Sequence, residues 1–303
     1  MSPPFSPERW AFDITHLLNA AFQGDRFPID IPMIAREYSK QRFPDDPIVD
    51  VKGDNLPKFD GALLRVPLSR RGWGIIYNDA VTSKGRINFT LAHEFGHYLL
   101  HRLAYPDGFQ CGQQEIVRWD SEYGQVEHQA NVFAANLLMP LDDFRRQVPA
   151  NTEVDFETMR SCADRYKVSL IAAVLRWLSY TEKRAILVVS RDDFILWARS
   201  STPALRTGAF FRASAGPIEI PPTSLPSNPQ LLTDGSGGIE HPPGVWLHER
   251  VRELAIIAEQ YDFSLSLLLL DDGQTPYFVD EEPEEHTYQR FATSDRRRAI
   301  HDS

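Results

Sequence analysis

Cysteine is nearly missing from this 303-residue chain: Cys111 and Cys162 are the only two, and they stand far apart. That scarcity excludes a disulfide framework and a cysteine-ligated metal site, and both thiols are expected to be reduced. Long hydrophobic runs are missing too. No stretch approaches the roughly 18 apolar residues that a membrane-spanning helix needs, so no membrane partner is expected. Met1-Ser-Pro-Pro-Phe-Ser-Pro7 has neither the basic region nor the apolar core of a secretory signal, and the expected location is the cytoplasm. Positive charge is in deficit, with 32 Lys and Arg against 42 Asp and Glu, a net charge of -10. Such a balance opposes general binding to a phosphate backbone, while leaving room for a local basic patch.

What is present is enough apolar residue, 42%, to support folded cores in a chain long enough for two or three domains. Its most informative stretch is Thr90-Leu-Ala-His93-Glu94-Phe-Gly-His97-Tyr-Leu-Leu-His101. On a helix, histidines four residues apart are separated by about 40° and one turn, so both imidazoles can reach one ion. Glu94 follows His93 by about 100° and can reach a water on that ion without being a ligand. Phe89, Leu91, Ala92, Phe95, Leu99 and Leu100 supply an apolar face that would set this helix against a core. His101 has drifted about 80° from His93 and reads as structural.

A catalytic zinc usually takes three protein ligands and a water, and the set His2Glu fits. A second helix that ends before Pro140, Glu127-His-Gln-Ala-Asn131-Val-Phe-Ala-Ala-Asn-Leu-Leu-Met-Pro140, carries the candidate third ligand, Glu127. Asn131 lies one turn on and can orient that carboxylate from behind. Ala130 and Ala134 are small enough for two helices to approach closely. Glu122, Glu115 and Asp120 are rivals for the third position, each able to reach a metal from a loop. His128 points about 100° away from Glu127 and reads as a surface or substrate-side residue. Tyr98, Tyr123 and His128 are all candidates for a second donor to a developing oxyanion.

These two segments together resemble the ImmA/IrrE family of zinc peptidases, and the layout of the whole chain is most similar to its radiation-response branch. The motifs cover about fifty residues. By that resemblance His93, His97 and Glu127 are metal ligands and Glu94 is the catalytic base. It also implies a helix-turn-helix transcriptional repressor as the protein partner and substrate, cut at one site so that repressed genes are switched on after DNA damage. Zn2+ is the implied cofactor, and Mn2+ or Fe2+ can occupy such a donor set where availability favours them.

Along the chain, Ser6-Pro7-Glu8 opens an amphipathic helix to about Phe22, and a second helix begins near Ile31-Pro32. Ala62 to Val66 and Gly74 to Tyr77 read as strands, the latter either an ordinary core strand or a sheet edge that holds a peptide by strand addition. Pro140 and the pair Asp142-Asp143 close the second motif helix. Residues 1–150 are thus expected to form an α+β zincin-like metallopeptidase domain.

Residues 151–184 are expected to form a helix-turn-helix-like helical unit, with the turn at Val168 and Ser169. Lys167 stands where a turn glycine is frequent, and the second helix offers Leu170, Ile171 and Arg176 rather than base-reading polar side chains. A packing or partner-docking role and contact with DNA are both open readings, the latter as part of an alternative in which the protein is a DNA-binding transcriptional regulator whose zincin domain is only a scaffold. Residues 185–283 switch to strands, Ala185 to Val189, Phe194 to Trp197, Gly244 to Leu247 and Leu265 to Leu270, with a helix near Glu249 to Tyr261. This pattern suits a sheet with a flanking helix, and the family resemblance implies a GAF-like α/β sensor domain with a small-molecule ligand. The cofactor-binding residues of such a sensor are unknown from sequence. Residues 284–303, with opposed charge blocks and few core residues, are expected to be disordered.

Overall fold

The computed structural model describes residues 5–22, 24–57, 59–66, 71–112, 122–232, 238–258 and 262–272. Glu115, Asp120 and the acidic tail beyond residue 283 lie outside them. The chain divides into two compact units, one made of Met1–Phe144 with Cys162–Ala172, the other of Arg145–Ser161 with Ala173–Ser303.

The first unit opens with α1, Pro7–Ala21, whose first turn is closed by the Ser6 side chain accepting from the Arg9 amide. Ala11, Ile14 and Leu18, spaced three and four residues apart, form its buried stripe. Helix α2, Ile31–Arg42, starts in the same way, with Asp30 accepting from the Met33 amide at 3.0 Å. Four strands follow in one sheet: β1, Ile48–Asp54; β2, Phe59–Arg65; β3, Trp73–Asn78; and β4, Gly108–Gly112. Their spatial order is β1-β3-β2-β4, with β1 parallel to β3 and the other pairs antiparallel. Strand β1 escapes a reading based on apolar runs because only Ile48 is buried, as suits an edge strand with charged residues along it. Strand β3 is paired on both sides, so it is a core strand; the alternative in which it offers an edge to a peptide is excluded by that pairing.

Helix α3, Lys84–His101, lies against β2 and β3, and helix α4, Glu122–Leu138, lies against α3 and α1. The start of α3 is tied down by the Ser83 cap, by the Arg86–Asp60 ion pair at 2.8 Å, and by Asn88, whose amide donates to the Tyr166 and Lys167 carbonyls. Pro140 ends α4, but the acidic pair does not close that helix as expected. Asp142 and Asp143 sit instead in the first turn of a new one, α5, Leu141–Gln147, where carboxylates suit the positive end of the helix dipole. Asp143 also accepts from Arg165 Nε at 3.0 Å and the Tyr166 hydroxyl at 2.7 Å, which anchors the returning segment to this unit.

Helices α6, Phe156–Tyr166, and α7, Leu170–Leu178, are joined by Lys167, Val168 and Ser169. Lys167 has a φ of 48°, the left-handed value for which glycine is favoured, and Ser169 caps α7 by accepting from the Ala172 amide. Residues 151–184 are shared between the two compact units, each of these helices contributing to both. At every position of α7 the side chain is buried or half-buried.

The second unit is built on a five-stranded antiparallel sheet in the order β6-β5-β9-β8-β7. Its strands are β5, Ala185–Arg191; β6, Phe194–Ser200; β7, Ile239–His241; β8, Val251–Ala258; and β9, Phe263–Leu270. Ile186, Val188, Ile195, Ile220, Trp246 and Leu268 form the heart of its core. Two expectations fail here. The segment from Glu249 to Tyr261 is strand β8 rather than a helix: residues Val251, Glu253 and Leu254 turn inward, and pairing along the full length of β9 overrides the helix-forming character of Arg252, Glu253, Leu254 and Ala255. Gly244 to Leu247 is a turn rather than a strand, because Gly244 adopts a φ of 92° and donates to the Leu247 carbonyl, swinging Trp246 into the core. The strand of that region is β7, which lies just before the Pro242-Pro243 pair.

Candidate metal centre

From Leu91 to Leu99, α3 is buried on every side, and three polar side chains, His93, Glu94 and His97, lie inside this apolar sleeve. The close approach of α4 sets their surroundings. A methyl group on Gly96 would fall 2.9 Å from Phe133 Cδ1 and 3.3 Å from the Ala130 backbone, so the two helices meet across small residues. Ala130 and Ala134 are fully buried at this crossing, and Phe95 meets Phe133 edge to face at 5.6 Å. That approach brings Glu127, one turn before Ala130, over the two histidines.

His93 Nε2 and His97 Nε2 are 2.9 Å apart. Glu127 Oε2 lies 3.3 Å from the first of these atoms and Glu127 Oε1 lies 3.3 Å from the second. Tetrahedral zinc with bonds of 2.0–2.1 Å separates its donor atoms by about 3.3 Å, so the triangle has the size of a metal's coordination shell. Among the described residues this is the only group of three or more His, Cys, Asp or Glu side chains able to hold an ion. Of the rival third ligands, Glu115 and Asp120 fall outside the described residues, as does the side chain of Glu122.

The electrostatics of the bare triangle point to a cation. Burial disfavours charge on His93, yet Glu127, with help from Glu94 and Asn131, outweighs it and raises the pKa to about 8. Burial pushes His97 the other way, down to about 3, and the neighbouring His93 charge adds to that shift. Burial would raise Glu127, but the two histidines hold its carboxyl below the usual carboxylate range. The opposite shifts of His93 and Glu127 show that this pocket, which also contains the fully buried Glu94, favours positive charge.

Each of the two histidines has a neighbour behind it. Asn131 Oδ1 is 2.9 Å from His93 Nδ1, so Asn131 orients a histidine and not, as its helical spacing suggests, the Glu127 carboxylate. His101 Nδ1 is 3.0 Å from His97 Nδ1, and His101 Nε2 is 3.0 Å from Gln129 Oε1. Glu94 is accommodated by Gly61 of β2: a methyl there would lie 2.5 Å from Thr90 Cγ2 and 2.9 Å from Glu94 Oε1. Neither Gly61 nor Gln129 was visible as a site residue from sequence, since both act through a neighbour brought close only by packing.

Among the candidate oxyanion donors, Tyr98 is removed by its position. It is fully buried and its hydroxyl donates to the Asp46 carbonyl at 2.7 Å, away from the triangle. The side chain of Tyr123 lies outside the described residues, and His128 is half-buried on α4.

No curated protein matches the chain. Residues 45–178, which contain His93, Glu94, His97 and Glu127, match the family model of the IrrE N-terminal-like domain, Peptidase_M78, and this part of the chain is therefore similar to the metallopeptidase-type domains of the ImmA/IrrE family.

Proposed function

We propose that this protein is a site-specific, metal-dependent endopeptidase of the radiation-response type, whose substrate is a helix-turn-helix transcriptional repressor. The observation that carries the reading is the convergence of His93 Nε2, His97 Nε2 and the Glu127 carboxylate on one point, with Glu94 buried beside it. His93 and His97 would hold the metal through Nε2 and Glu127 through its carboxylate. A divalent ion in such a set, Zn2+ foremost and Mn2+ or Fe2+ as alternatives, polarises a carbonyl oxygen and lowers the pKa of water toward about 7.

The remaining work falls to the protein. Glu94 takes a proton from the attacking water and delivers it to the nitrogen of the leaving amine, as a general base and then a general acid. Gly61 leaves the space in which that carboxylate sits. The apolar sleeve around α3 excludes bulk water and strengthens each charge interaction within it. Regulation is assigned to residues 185–283, read as a GAF-like sensor domain with a small-molecule ligand. Every residue of α7 is buried or half-buried, so this helix offers little surface for direct readout of DNA, and a packing role is the favoured one for it.

The test is cleavage of the host's helix-turn-helix repressors by wild type and Glu94→Gln, with and without Zn2+ or Mn2+, read by intact mass. One discrete metal-dependent cut is expected in the wild type. Glu94→Gln should retain the metal and lose at least ~100-fold in rate, the lower end of what a positioned base contributes. Full activity in that variant sinks the mechanism, and the absence of any cut in any repressor sinks the substrate assignment.

A further inference from the structure

We infer that His101 is a positioning residue for His97, acting through a directional hydrogen-bond relay that ends on Gln129. The inference rests on the reading of His93, His97 and Glu127 as metal ligands. His101 follows His97 by four residues on α3, about 40° round the helix, so its ring lies beside that of His97. It meets the ring on the side away from the triangle: His97 Nε2 faces His93 and Glu127, whereas His97 Nδ1 faces His101 Nδ1 at 3.0 Å. His101 is therefore no fourth ligand.

The chemistry assigns the direction of each bond. A neutral His97 that binds through the Nε2 lone pair carries its proton on Nδ1. That N–H donates to His101 Nδ1, which must then be the acceptor, placing the proton of His101 on Nε2. His101 Nε2–H in turn donates to Gln129 Oε1 at 3.0 Å. One tautomer of each ring satisfies the whole chain, and the opposite tautomer of His97 would withdraw the lone pair from the metal. On the other side Asn131 Oδ1 does the same for His93 in a single step. Both acceptors behind the ligands are neutral, an amide and an imidazole. Neither therefore adds the negative charge that a carboxylate partner would bring to the metal.

His101 and His97 are both buried, so no solvent replaces the acceptor when it is lost. His101→Phe should weaken zinc binding by about 10- to 100-fold, the range for partners of this kind, measured by competition with a chromophoric chelator. The visible absorption bands of the Co2+-loaded protein should shift in the same variant. His101→Asn, whose Oδ1 can take the place of Nδ1 as acceptor, should recover most of both. Gln129→Ala, at an exposed position, should weaken zinc less than His101→Phe does and leave metal-free thermal unfolding unchanged.

Wild-type zinc affinity and cobalt spectrum in His101→Phe overturn the relay, as does a weakening that His101→Asn fails to recover, because that pattern belongs to lost packing. Should His101→Phe fail to fold, Gln129→Ala decides: unchanged zinc affinity together with an unchanged cobalt spectrum overturns the relay. A wild-type chain that binds neither zinc nor cobalt removes the metal-site reading and the relay with it. That outcome is distinct, since it appears before any variant is made.

Discussion

Glu127 in the first unit and Glu253 in the second are both sequestered carboxylates facing histidine, yet their surroundings differ in kind. Glu253 is fully buried on β8, and donors close around it: the Leu225 amide at 3.0 Å, His241 Nε2 at 2.8 Å, Trp246 Nε1 at 3.3 Å and the Ser266 hydroxyl at 2.7 Å. That network is complete in itself and holds the loop before β7 and the turn after it on the sheet. Glu127 meets two imidazole nitrogens that stand 2.9 Å from each other, and once both histidines are neutral the converging atoms are all lone-pair donors. A positive charge, whether a proton on His93 or a metal ion, then relieves the repulsion among them. N–H and O–H groups around Glu253 thus make a structural clasp, whereas three side chains that can each offer a lone pair make the Glu127 cluster a candidate metal site.

The contrast fails if the Glu253 cluster proves dispensable. Glu253→Ala leaves His241, Trp246 and Ser266 without their shared acceptor and should cost about 3–5 kcal/mol in chemical denaturation, with zinc affinity unchanged by chelator competition. A loss below 1 kcal/mol would show that the network is not a clasp. Zinc removal probes the other side. At a free zinc concentration a hundred times its Kd, the bound ion stabilises the fold by about 2.7 kcal/mol, so EDTA should lower the unfolding temperature. The same increment is expected in Glu253→Ala, because the two clusters share no residue, and a changed increment would show coupling between them. The smallest effect refines the description of the metal centre itself. Gly61→Ala forces a methyl against Thr90 and Glu94 and should cost about 1–3 kcal/mol as overpacking. Its cleavage rate should fall while zinc affinity holds, since Gly61 is placed against Glu94 and not against the ligands. An equal loss of zinc affinity would mean that the whole helix had shifted.

The convergence of His93, His97 and Glu127 was legible because its parts follow local rules. The four-residue spacing of His93 and His97 is a property of one helix, and Glu127 lies on a second helix with a clear end at Pro140. The cap at Ser6 and the turn at Val168 and Ser169 follow the same logic. Strands β5 and β9 could be read because apolar residues dominate their runs, as burial on both faces requires. Strand β8 could not. Its inward Glu253 looks like a residue for a wet helix face until His241, Trp246 and Ser266 are brought to it by three other segments. His101 was read as structural for a similar reason: its angular drift from His93 is visible in sequence, whereas its contact with the far nitrogen of His97 depends on which way each ring turns.

By itself, the sequence determined the elements whose information is local: the two motif helices, the proline that ends the second, and the residue types that they offer as ligands. Tertiary structure alone decided which atoms converge. The Gly96–Ala130 crossing brings Glu127 to the histidines, the placement of β2 sets Gly61 against Glu94, and Asn131 is turned toward His93 rather than toward its helical neighbour. The physical reason is one of range: helix periodicity and capping act over three or four residues, whereas a coordination shell about 3.3 Å across is fixed only when distant segments pack.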